Sequence, residues 1–597
     1  MRIETRRKTV YALVLVLLAA LVYINSLGNG FVYDDPNQLV KNPWIRDFRN
    51  IPAVLTHEVW GFQPAVKSSF YRPTMHLLNM LIYPFSGLNP LGYHIANLLL
   101  HSANSLLVFL LAMALFEDIV AALAAGVLFA VHPVHTEAVD WIGGSPDLML
   151  VFFSLVAMLL FAARKNPVLQ GVFFLLAMLS KEPAVTLVFI LPVFACALDA
   201  GDAGPVLKAR NAPPWYFRFL PVVAAALVYF AMRIYALGGL TTGNNHPEMG
   251  LLFEAANAPY LFARYMAKLV LPLNLNLAYN FHPVRSMLSP RAIAGFLAAF
   301  AFAGLLAISF RKNRKVFFAL CLLAVPVLPA LYFAPLGDLV FGERYLYLPS
   351  VGFALAAGWA FEYFHKKAKH VSVAAGIMVA AIFAFGTMHR APVWKSNFSL
   401  WSDAVKKSPT GYVPLVNLGV EYGNMGDSGQ AIALFEKAAS INPARYEAYL
   451  LEGQTYQMIK KYTLAGKAYQ MALKADPRHS ETYLRLAMMY RAAGEPDKAI
   501  QTYLALVSVY PDSMAAYTGL GQLYFSARDY KNAAEALANI ARLAPGSPDA
   551  HYNLAQALRL EGDMKSAAQQ YQAAIRLDPG FTKAYAGLGE AMRGGGK

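Results

Sequence analysis

Long apolar stretches separated by short polar segments dominate the chain as far as about residue 390. A helix needs about 20 apolar residues to cross a bilayer, so the pattern predicts about eleven crossings, several of them short. These stretches are residues 10–27, 94–116, 120–131, 148–163, 169–179, 185–198, 219–237, 292–310, 316–333, 346–364 and 371–385. Two further apolar segments, 74–85 and 260–271, are predicted to be re-entrant or to lie on the membrane surface.

Clusters of basic residues between the apolar stretches predict the orientation of the chain. They occur at residues 2–8, 164–165, 311–315 and 365–369. Because short cytoplasmic segments carry an excess of Lys and Arg, these clusters place the N-terminus and every second loop in the cytoplasm. An odd number of crossings then places the C-terminal part outside.

A regular repeat replaces the apolar pattern after about residue 400. Prolines recur every 34 residues, at Pro409, Pro443, Pro477, Pro511, Pro545 and Pro579. That period, with small and aromatic residues at fixed offsets, predicts tetratricopeptide repeats, each a pair of helices. The predicted fold is therefore all-α: a polytopic membrane domain (1–390), a linker (391–411), and a repeat solenoid with a capping helix (412–597).

Composition supports a membrane protein and argues against other classes. Of the 597 residues, 57% are hydrophobic and 15% charged, whereas soluble proteins carry about 25% charged residues. The net charge of +15 is consistent with cytoplasmic Lys and Arg near lipid headgroups. The sequence contains no basic run interleaved with aromatic residues, so nucleic-acid binding is not predicted. The two cysteines imply no disulfide framework.

Two adjacent carboxylates, Asp34 and Asp35, follow the first apolar stretch, where the chain leaves the membrane. A carboxylate just outside the hydrocarbon is partly desolvated, so its pKa can rise toward that of a useful base. We therefore predict that Asp34 or Asp35 is a catalytic base. The alternative is a solvated turn, because Asp, Pro and Asn are ordinary turn formers.

Other ionisable residues map to the same predicted face of the membrane and predict a polar cavity opening outward. They are Arg72, His132, His135, Glu137, Asp147, Lys181, Glu182, Arg233, Glu343 and Arg344. Alternatives stay open for some of them. Lys181 and Glu182 could form a local ion pair, Arg233 could only extend toward the interface, and the two histidines could belong to a metal site or to a hydrogen-bonded network.

Six motifs in this order resemble the transmembrane and tetratricopeptide-repeat-containing O-mannosyltransferases, or a bacterial relative of that family. They are Phe31–Asp35, Tyr71–Pro73, Asn89–His94, His132–Ala138, Leu179–Glu182 and Glu343–Pro349. The resemblance implies a GT-C fold, a polyprenyl-phosphate-linked sugar as donor, mannose in that family, and Ser or Thr hydroxyls of proteins as acceptors. In GT-C enzymes an acidic residue in the first outer loop serves catalysis, which matches Asp34 and Asp35 by position.

The chemistry expected of such an enzyme is inversion by a single displacement, with one carboxylate removing the proton of the acceptor hydroxyl. The second carboxylate would orient the acceptor or the base, or help to hold a divalent cation. Arginine and lysine should bind the donor phosphate, and the candidates in order are Arg344, Arg72, Lys181 and Arg233. The candidates for lining the sugar pocket or supporting the base are His132, His135, Glu137, Tyr71, Asp147, Glu182, Glu343 and Tyr345.

The repeats are expected to bind the acceptor protein or peptide in their concave groove, on the outer side of the lipid bilayer. That side is the periplasm if the membrane is the bacterial inner membrane, and the lumen if it is the endoplasmic reticulum. Two other functions remain open: a GT-C transferase that acts on a lipid or glycan acceptor, and a non-enzymatic, membrane-anchored assembly factor.

Overall fold

The computed structural model describes residues 2–63, 66, 68–199, 217–239, 251–331 and 339–594. Throughout these residues the chain is helical and contains no strand, which confirms the all-α fold class. It divides into two compact units, Met1–Pro409 and Thr410–Lys597. Part of the polar segment predicted between the sixth and seventh apolar stretches lies outside the described residues.

The first unit, called here the membrane unit, is built from apolar helices, and each predicted apolar stretch is helical wherever the structure describes it. Its described α-helices are α1 (Arg2–Tyr23), α2 (Ile51–Thr56), α3 (Pro73–Ser86), α4 (Pro90–Phe116), α5 (Ile119–Val131), α6 (Thr136–Asp140), α7 (Ser145–Ala162), α8 (Pro167–Ser180), α9 (Leu187–Asp199), α10 (Leu220–Leu237), α11 (Leu251–Val270), α12 (Pro290–Lys312), α13 (Arg314–Ala324), α14 (Leu328–Leu331), α15 (Pro349–Lys367), α16 (Lys369–Arg390) and α17 (Asn397–Lys407).

Some of these helices are long and apolar enough to cross a membrane, and others are shorter. Among the described residues seven meet that standard, or eight if the bent pair Ile119–Val131 and Pro133–Asp140 forms one span. The helix Pro167–Ser180 has 14 residues and rises about 21 Å, short of a hydrocarbon core of about 30 Å. The predicted number of about eleven crossings includes such short helices, so the number of crossings and the side on which each loop lies stay predictions.

Glycines let the spans of the membrane unit pack closely. A Cβ on Gly352 of α15 would lie 2.3 Å from the backbone nitrogen of Leu323, and one on Gly358 would lie 2.4 Å from the carbonyl oxygen of Ala121. Small residues allow helix backbones to approach in a membrane, where the hydrophobic effect gives no net drive to association. α15 is therefore in close contact with α13 on one side and α5 on the other.

The second unit, called here the repeat unit, consists of five helix pairs and a last helix, as the proline period predicts. Its helices are α18 (Tyr412–Asn424), α19 (Ser428–Ile441), α20 (Tyr446–Met458), α21 (Tyr462–Ala475), α22 (Ser480–Ala492), α23 (Pro496–Val509), α24 (Met514–Ser526), α25 (Tyr530–Leu543), α26 (Pro548–Glu561), α27 (Met564–Leu577) and α28 (Thr582–Gly594). Glycines face large rings in several pairs: a Cβ on Gly453 would lie 2.7 Å from the Tyr469 ring.

The segment predicted as a linker, residues 391–411, has regular structure over most of its length. A 3-10 turn, Ala391–Lys395, continues the last span, and α17 follows it with a capping box formed by Ser396 and Ser399. Trp394 is fully buried, and Leu400 and Trp401 are nearly so. These residues lie within the first compact unit, which extends to Pro409.

Candidate active site

The loop that joins the first span to the short π-helical turn Pro36–Val40, residues 29–35, carries both candidate aspartates; we call it the aspartate loop. Asp35 is completely buried, and both of its carboxylate oxygens accept hydrogen bonds from the backbone. Oδ2 accepts from the N–H of Val32 at 3.0 Å, and Oδ1 accepts from the N–H of Gly143 at 2.9 Å. Burial raises the pKa of Asp35 to about 8, against the lowering effect of these two bonds. Asp35 thus closes its own loop and ties it to the turn before α7.

Asp34 has a different environment from its neighbour. Its side chain is only partly buried, and no hydrogen bond or ion pair from a described residue ends on its carboxylate. Burial raises its pKa to about 6, and the positive charge of Arg344 lowers the pKa in opposition. A carboxylate with a pKa of about 6 is mostly ionised at neutral pH yet more basic than an ordinary aspartate, which suits a general base.

Arg344 is held beside this aspartate by a buried carboxylate. Glu137, in the first turn of α6, is fully buried and accepts from the Arg344 side chain at 2.7 Å and from its backbone N–H at 3.0 Å. Arg344 lies in the 3-10 turn Glu343–Leu346, and its guanidinium carbon is 5.2 Å from the centre of the Tyr345 ring. The two hydrogen bonds to Glu137 fix the position of Arg344 and leave some of its guanidinium N–H groups without a partner among the described residues.

Tyr345 connects Arg344 to the next ion pair. The Lys181 ammonium is 5.5 Å from the centre of the Tyr345 ring, and it donates to both oxygens of Asp147 at 2.7 and 2.6 Å. Only 5% of the Lys181 side chain and 6% of that of Asp147 are exposed. Lys181 therefore pairs with Asp147 and not with its neighbour Glu182, so the local ion pair considered from the sequence is wrong.

Two arginines share the carboxylate of Glu182. Arg72, just before α3, donates to Oε2 at 2.9 Å, and the Arg233 Nη1 lies 3.6 Å from Oε1. Arg233 also donates to the carbonyl oxygen of Ser69 at 2.8 Å and is 10% exposed at its side chain, so it does not extend toward the interface. Arg72 and Glu182 are 20% and 27% exposed. Arg72 and Glu182 are thus only partly buried, whereas Arg233 is nearly buried.

Several predicted residues lie apart from this group of charges. The Tyr71 hydroxyl donates to the carbonyl oxygen of Leu55 at 2.6 Å, inside the protein. Glu343 is fully buried: its Oε1 accepts from the Asn276 N–H and from the hydroxyl of Tyr279, and its Oε2 lies 3.6 Å from the guanidinium of Arg390. Burial raises the pKa of Glu343. These two residues therefore contact backbone and side chains of other loops.

The two predicted histidines belong to a buried network within the helices. His135 is bonded to the Ser350 hydroxyl at 2.8 Å, and His132 to the carbonyl oxygen of Leu269 at 2.9 Å. Their rings are 5.5 Å apart, and the ring of His101, which the sequence did not single out, lies 5.5 Å from His135. The structure supports the hydrogen-bonded network among the two alternatives for these histidines.

The arrangement of the described residues does not fit a divalent cation held by both aspartates. The part of the chain that the structure describes contains no cluster of three or more His, Cys, Asp or Glu side chains suited to a metal ion. Both oxygens of Asp35 already face backbone N–H groups, which would have to be displaced by a cation.

The chain is similar to one known repeat family and to a group of known membrane proteins. A tetratricopeptide repeat family model matches residues 416–480, 484–548 and 520–580. Human protein O-mannosyl-transferase TMTC3 is 28% identical over 490 residues, which cover 75% of this chain and 53% of that protein. The mouse and Caenorhabditis elegans proteins that this chain also matches over most of its length are named protein O-mannosyl-transferases as well. The resemblance found in the sequence motifs is thereby confirmed.

Further relatives show how far the similarity extends. Protein O-mannosyl-transferase F38B6.6 of Caenorhabditis elegans is 26% identical and is matched over 72% of this chain and 63% of its own length. Drosophila melanogaster Tmtc1 reaches 38% identity, but over 178 residues, 28% of this chain and 21% of that protein. The chain spans about half to two thirds of the length of the O-mannosyl-transferases that it matches over most of its own length.

Two solved structures of repeat proteins resemble the repeat unit. The crystal structure of YrrB, described as a tetratricopeptide repeat protein with an unusual peptide-binding site, has 19% identity and a TM-score of 0.26, and the match covers 31% of this chain and 96% of that one. A crystal structure of MamA has 26% identity and a TM-score of 0.23, with 25% of this chain and 85% of that chain covered.

Proposed function

We propose that the chain is a membrane glycosyltransferase that moves a sugar, mannose, from a polyprenyl-phosphate donor to Ser or Thr hydroxyls of proteins on the outer or lumenal side. The names of its relatives support O-mannosyl transfer, and the repeats support a protein acceptor. The observation that carries the proposal is the difference between the two aspartates. Asp35 uses both oxygens to hold its loop, whereas the carboxylate of Asp34 accepts no hydrogen bond from a described residue and has a raised pKa, which the charge of Arg344 partly lowers.

Asp34 is the base in this mechanism. Its carboxylate takes the proton of the acceptor hydroxyl while the hydroxyl oxygen attacks the anomeric carbon from the side opposite the phosphate. The bond between the anomeric carbon and the phosphate oxygen breaks, and the polyprenyl phosphate leaves with the electron pair. The product is an inverted glycoside, and the phosphate is a good enough leaving group to depart without an acid.

The donor phosphate is bound by Arg72 and Arg233. Both arginines lie beside the carboxylate of Glu182, and a guanidinium can donate two parallel hydrogen bonds to the oxygens of a phosphodiester. Lys181, in contrast, is neutralised and almost sealed by Asp147, so it positions Tyr345 and does not bind the phosphate directly. Arg344 keeps Asp34 ionised and uses its remaining N–H groups on the polar part of the donor.

The test is transfer in detergent with synthetic polyprenyl-phosphate mannose and a Ser- and Thr-rich acceptor peptide, followed by mass spectrometry of the product. Asp34→Asn is expected to abolish transfer and to leave donor binding and the thermal midpoint near those of the unmodified protein. Asp35→Asn should instead lower the thermal midpoint, because it disturbs two buried backbone bonds. Full transfer by Asp34→Asn would remove the proposed base. Sugar appearing on lipid or glycan, and none on peptide, would favour the transferase with a different acceptor.

A further inference from the structure

Residues 391–408, at the end of the membrane unit, contact the aspartate loop directly and are linked to the loop of Arg344 through Leu275 and Asn276. The N-terminal end of α17 reaches the aspartate loop. Asn397 Oδ1 accepts from the backbone N–H of Tyr33 at 2.7 Å, and the carbonyl oxygen of Lys395 accepts from the N–H of Gly30 at 3.0 Å. The Trp401 ring meets the Tyr33 ring edge-on at 5.8 Å. α17 thus holds the residue that directly precedes Asp34.

The backbone at Tyr33 needs such support. Its φ of 56° lies in the left-handed region, which a non-glycine residue adopts at a cost of about 1 kcal/mol or more. A residue persists in that region only when its surroundings hold it there. The hydrogen bond to Asn397 and the contacts of its ring with Trp401 and Trp141 supply that hold.

The C-terminal end of α17 reaches the loop of Arg344 through one intermediate segment. Lys407 donates to the carbonyl oxygen of Leu275 at 2.7 Å, and the hydroxyl of Ser408 accepts from the Asn276 side chain at 2.9 Å. The backbone N–H of Asn276 in turn donates to Glu343 at 2.6 Å, next to Arg344 in sequence. The same helix therefore holds the loop of the proposed base at one end and that of the arginine at the other.

We infer that α17 is a brace that sets the position of Asp34 relative to Arg344, and that Asn397 is a positioning residue for proton transfer. The inference rests on the proposed function. Asn397 suits this role because its side chain is not needed to start the helix, which Ser396 and Ser399 cap. Proton transfer depends on the placement of the base to within a fraction of an ångström, so a slack aspartate loop should slow the reaction without weakening donor binding.

Two substitutions of Asn397 separate positioning from general stability. Asn397→Ala removes the acceptor and should lower kcat by about 10- to 100-fold, with the donor dissociation constant unchanged within about twofold. Asn397→Asp keeps an acceptor for the Tyr33 N–H but adds a negative charge near Asp34. It should retain most of kcat while moving the acid limb of the pH–rate profile upward, because a like charge raises the pKa of Asp34.

A matched control and a readout besides activity complete the experiment. Asn313→Ala also removes an asparagine oxygen that accepts from backbone N–H groups, those of Lys315 and Val316, but at another helix start. It should leave kcat unchanged. Hydrogen exchange of the full-length protein should show faster exchange of the Tyr33 amide in Asn397→Ala and not in the control.

The outcomes distinguish the two proposals. If Asp34→Asn is inactive and Asn397→Ala has normal kcat or unchanged exchange at Tyr33, the brace is wrong and the proposed base stands. An equal loss of kcat in the control variant also overturns the brace, since loss of any asparagine oxygen that accepts from the backbone would then suffice. If Asp34→Asn is active, the proposed base is wrong, and faster exchange of the Tyr33 amide then remains the evidence for a structural contact alone.

Discussion

The electrostatic coupling between Arg344 and Asp34 makes a quantitative prediction about pH. With a pKa of about 6, Asp34 is about one-tenth ionised at pH 5 and about nine-tenths ionised at pH 7. A base acts when it is deprotonated, so kcat/KM for transfer should rise with pH and reach half its maximum near pH 6. This acid limb belongs to the free enzyme and should be measured with limiting donor in detergent at constant ionic strength.

Replacing Arg344 by methionine removes the charge that lowers the pKa of Asp34 while keeping a side chain of similar length. An opposite charge nearby typically lowers a carboxyl pKa by about 1 to 3 units, so the acid limb of Arg344→Met should move upward by that amount. Arg344→Lys retains the charge and should keep the limb close to pH 6. Arg344→Met also leaves the fully buried Glu137 without its partner. The thermal midpoint of this variant must therefore be recorded together with the rates.

Arg72→Met is the matched control for this experiment. It also deletes an arginine from the site, but one paired with Glu182, and it should raise KM for the donor without moving the limb. The reasoning is refuted if Arg344→Met and the unmodified protein share the same acid limb, because Asp34 would then not be the group that titrates in the reaction.

Three further variants test other parts of the structure. Arg72→Ala should weaken binding of polyprenyl phosphate by about 10- to 100-fold in a titration, as loss of a charge-assisted bond implies, and an unchanged affinity would contradict its role. Lys181→Met should lower the free energy of unfolding by about 3–5 kcal/mol, because it leaves the buried carboxylate of Asp147 without its partner. The double variant with Asp147→Leu should recover part of that loss. Equal thermal midpoints for the single and double variants would contradict this pairing. Gly519→Ala places a Cβ 2.3 Å from a tyrosine ring and should speed hydrogen exchange in α23 and α24. The control Gly546→Ala places a Cβ with nothing within 4 Å and should leave that exchange unchanged. Equal exchange in both variants would count against the close packing.

The helices could be predicted from the sequence because hydrophobicity and a fixed proline period decide them locally. The repeat unit follows its 34-residue period through all five pairs. The number of crossings stays a prediction, because a short apolar stretch such as Pro167–Ser180 becomes a helix whether or not it spans the bilayer.

The candidate site could be predicted in composition but not in its pairing. The sequence places Asp34 and Asp35 next to each other and does not distinguish them. The structure does so, because the backbone N–H groups of Val32 and Gly143 both donate to Asp35. Lys181 and Glu182 are adjacent yet have different partners, since successive residues leave the chain in different directions. α17 was predicted as linker although Ser396 and Ser399 form the spacing of a capping box, a local signal that could have revealed a helix start.

The position of α17 also decides where this protein can be divided for experiments. A fragment that stops at residue 390 keeps every charged candidate of the active site but loses the only described side chain that accepts from the Tyr33 amide. Cuts and swaps of the repeats belong instead between Pro409 and Thr410, where one compact unit ends and the next begins. If the proposed function holds, chimaeras joined there should exchange acceptor recognition and keep the residues proposed for catalysis.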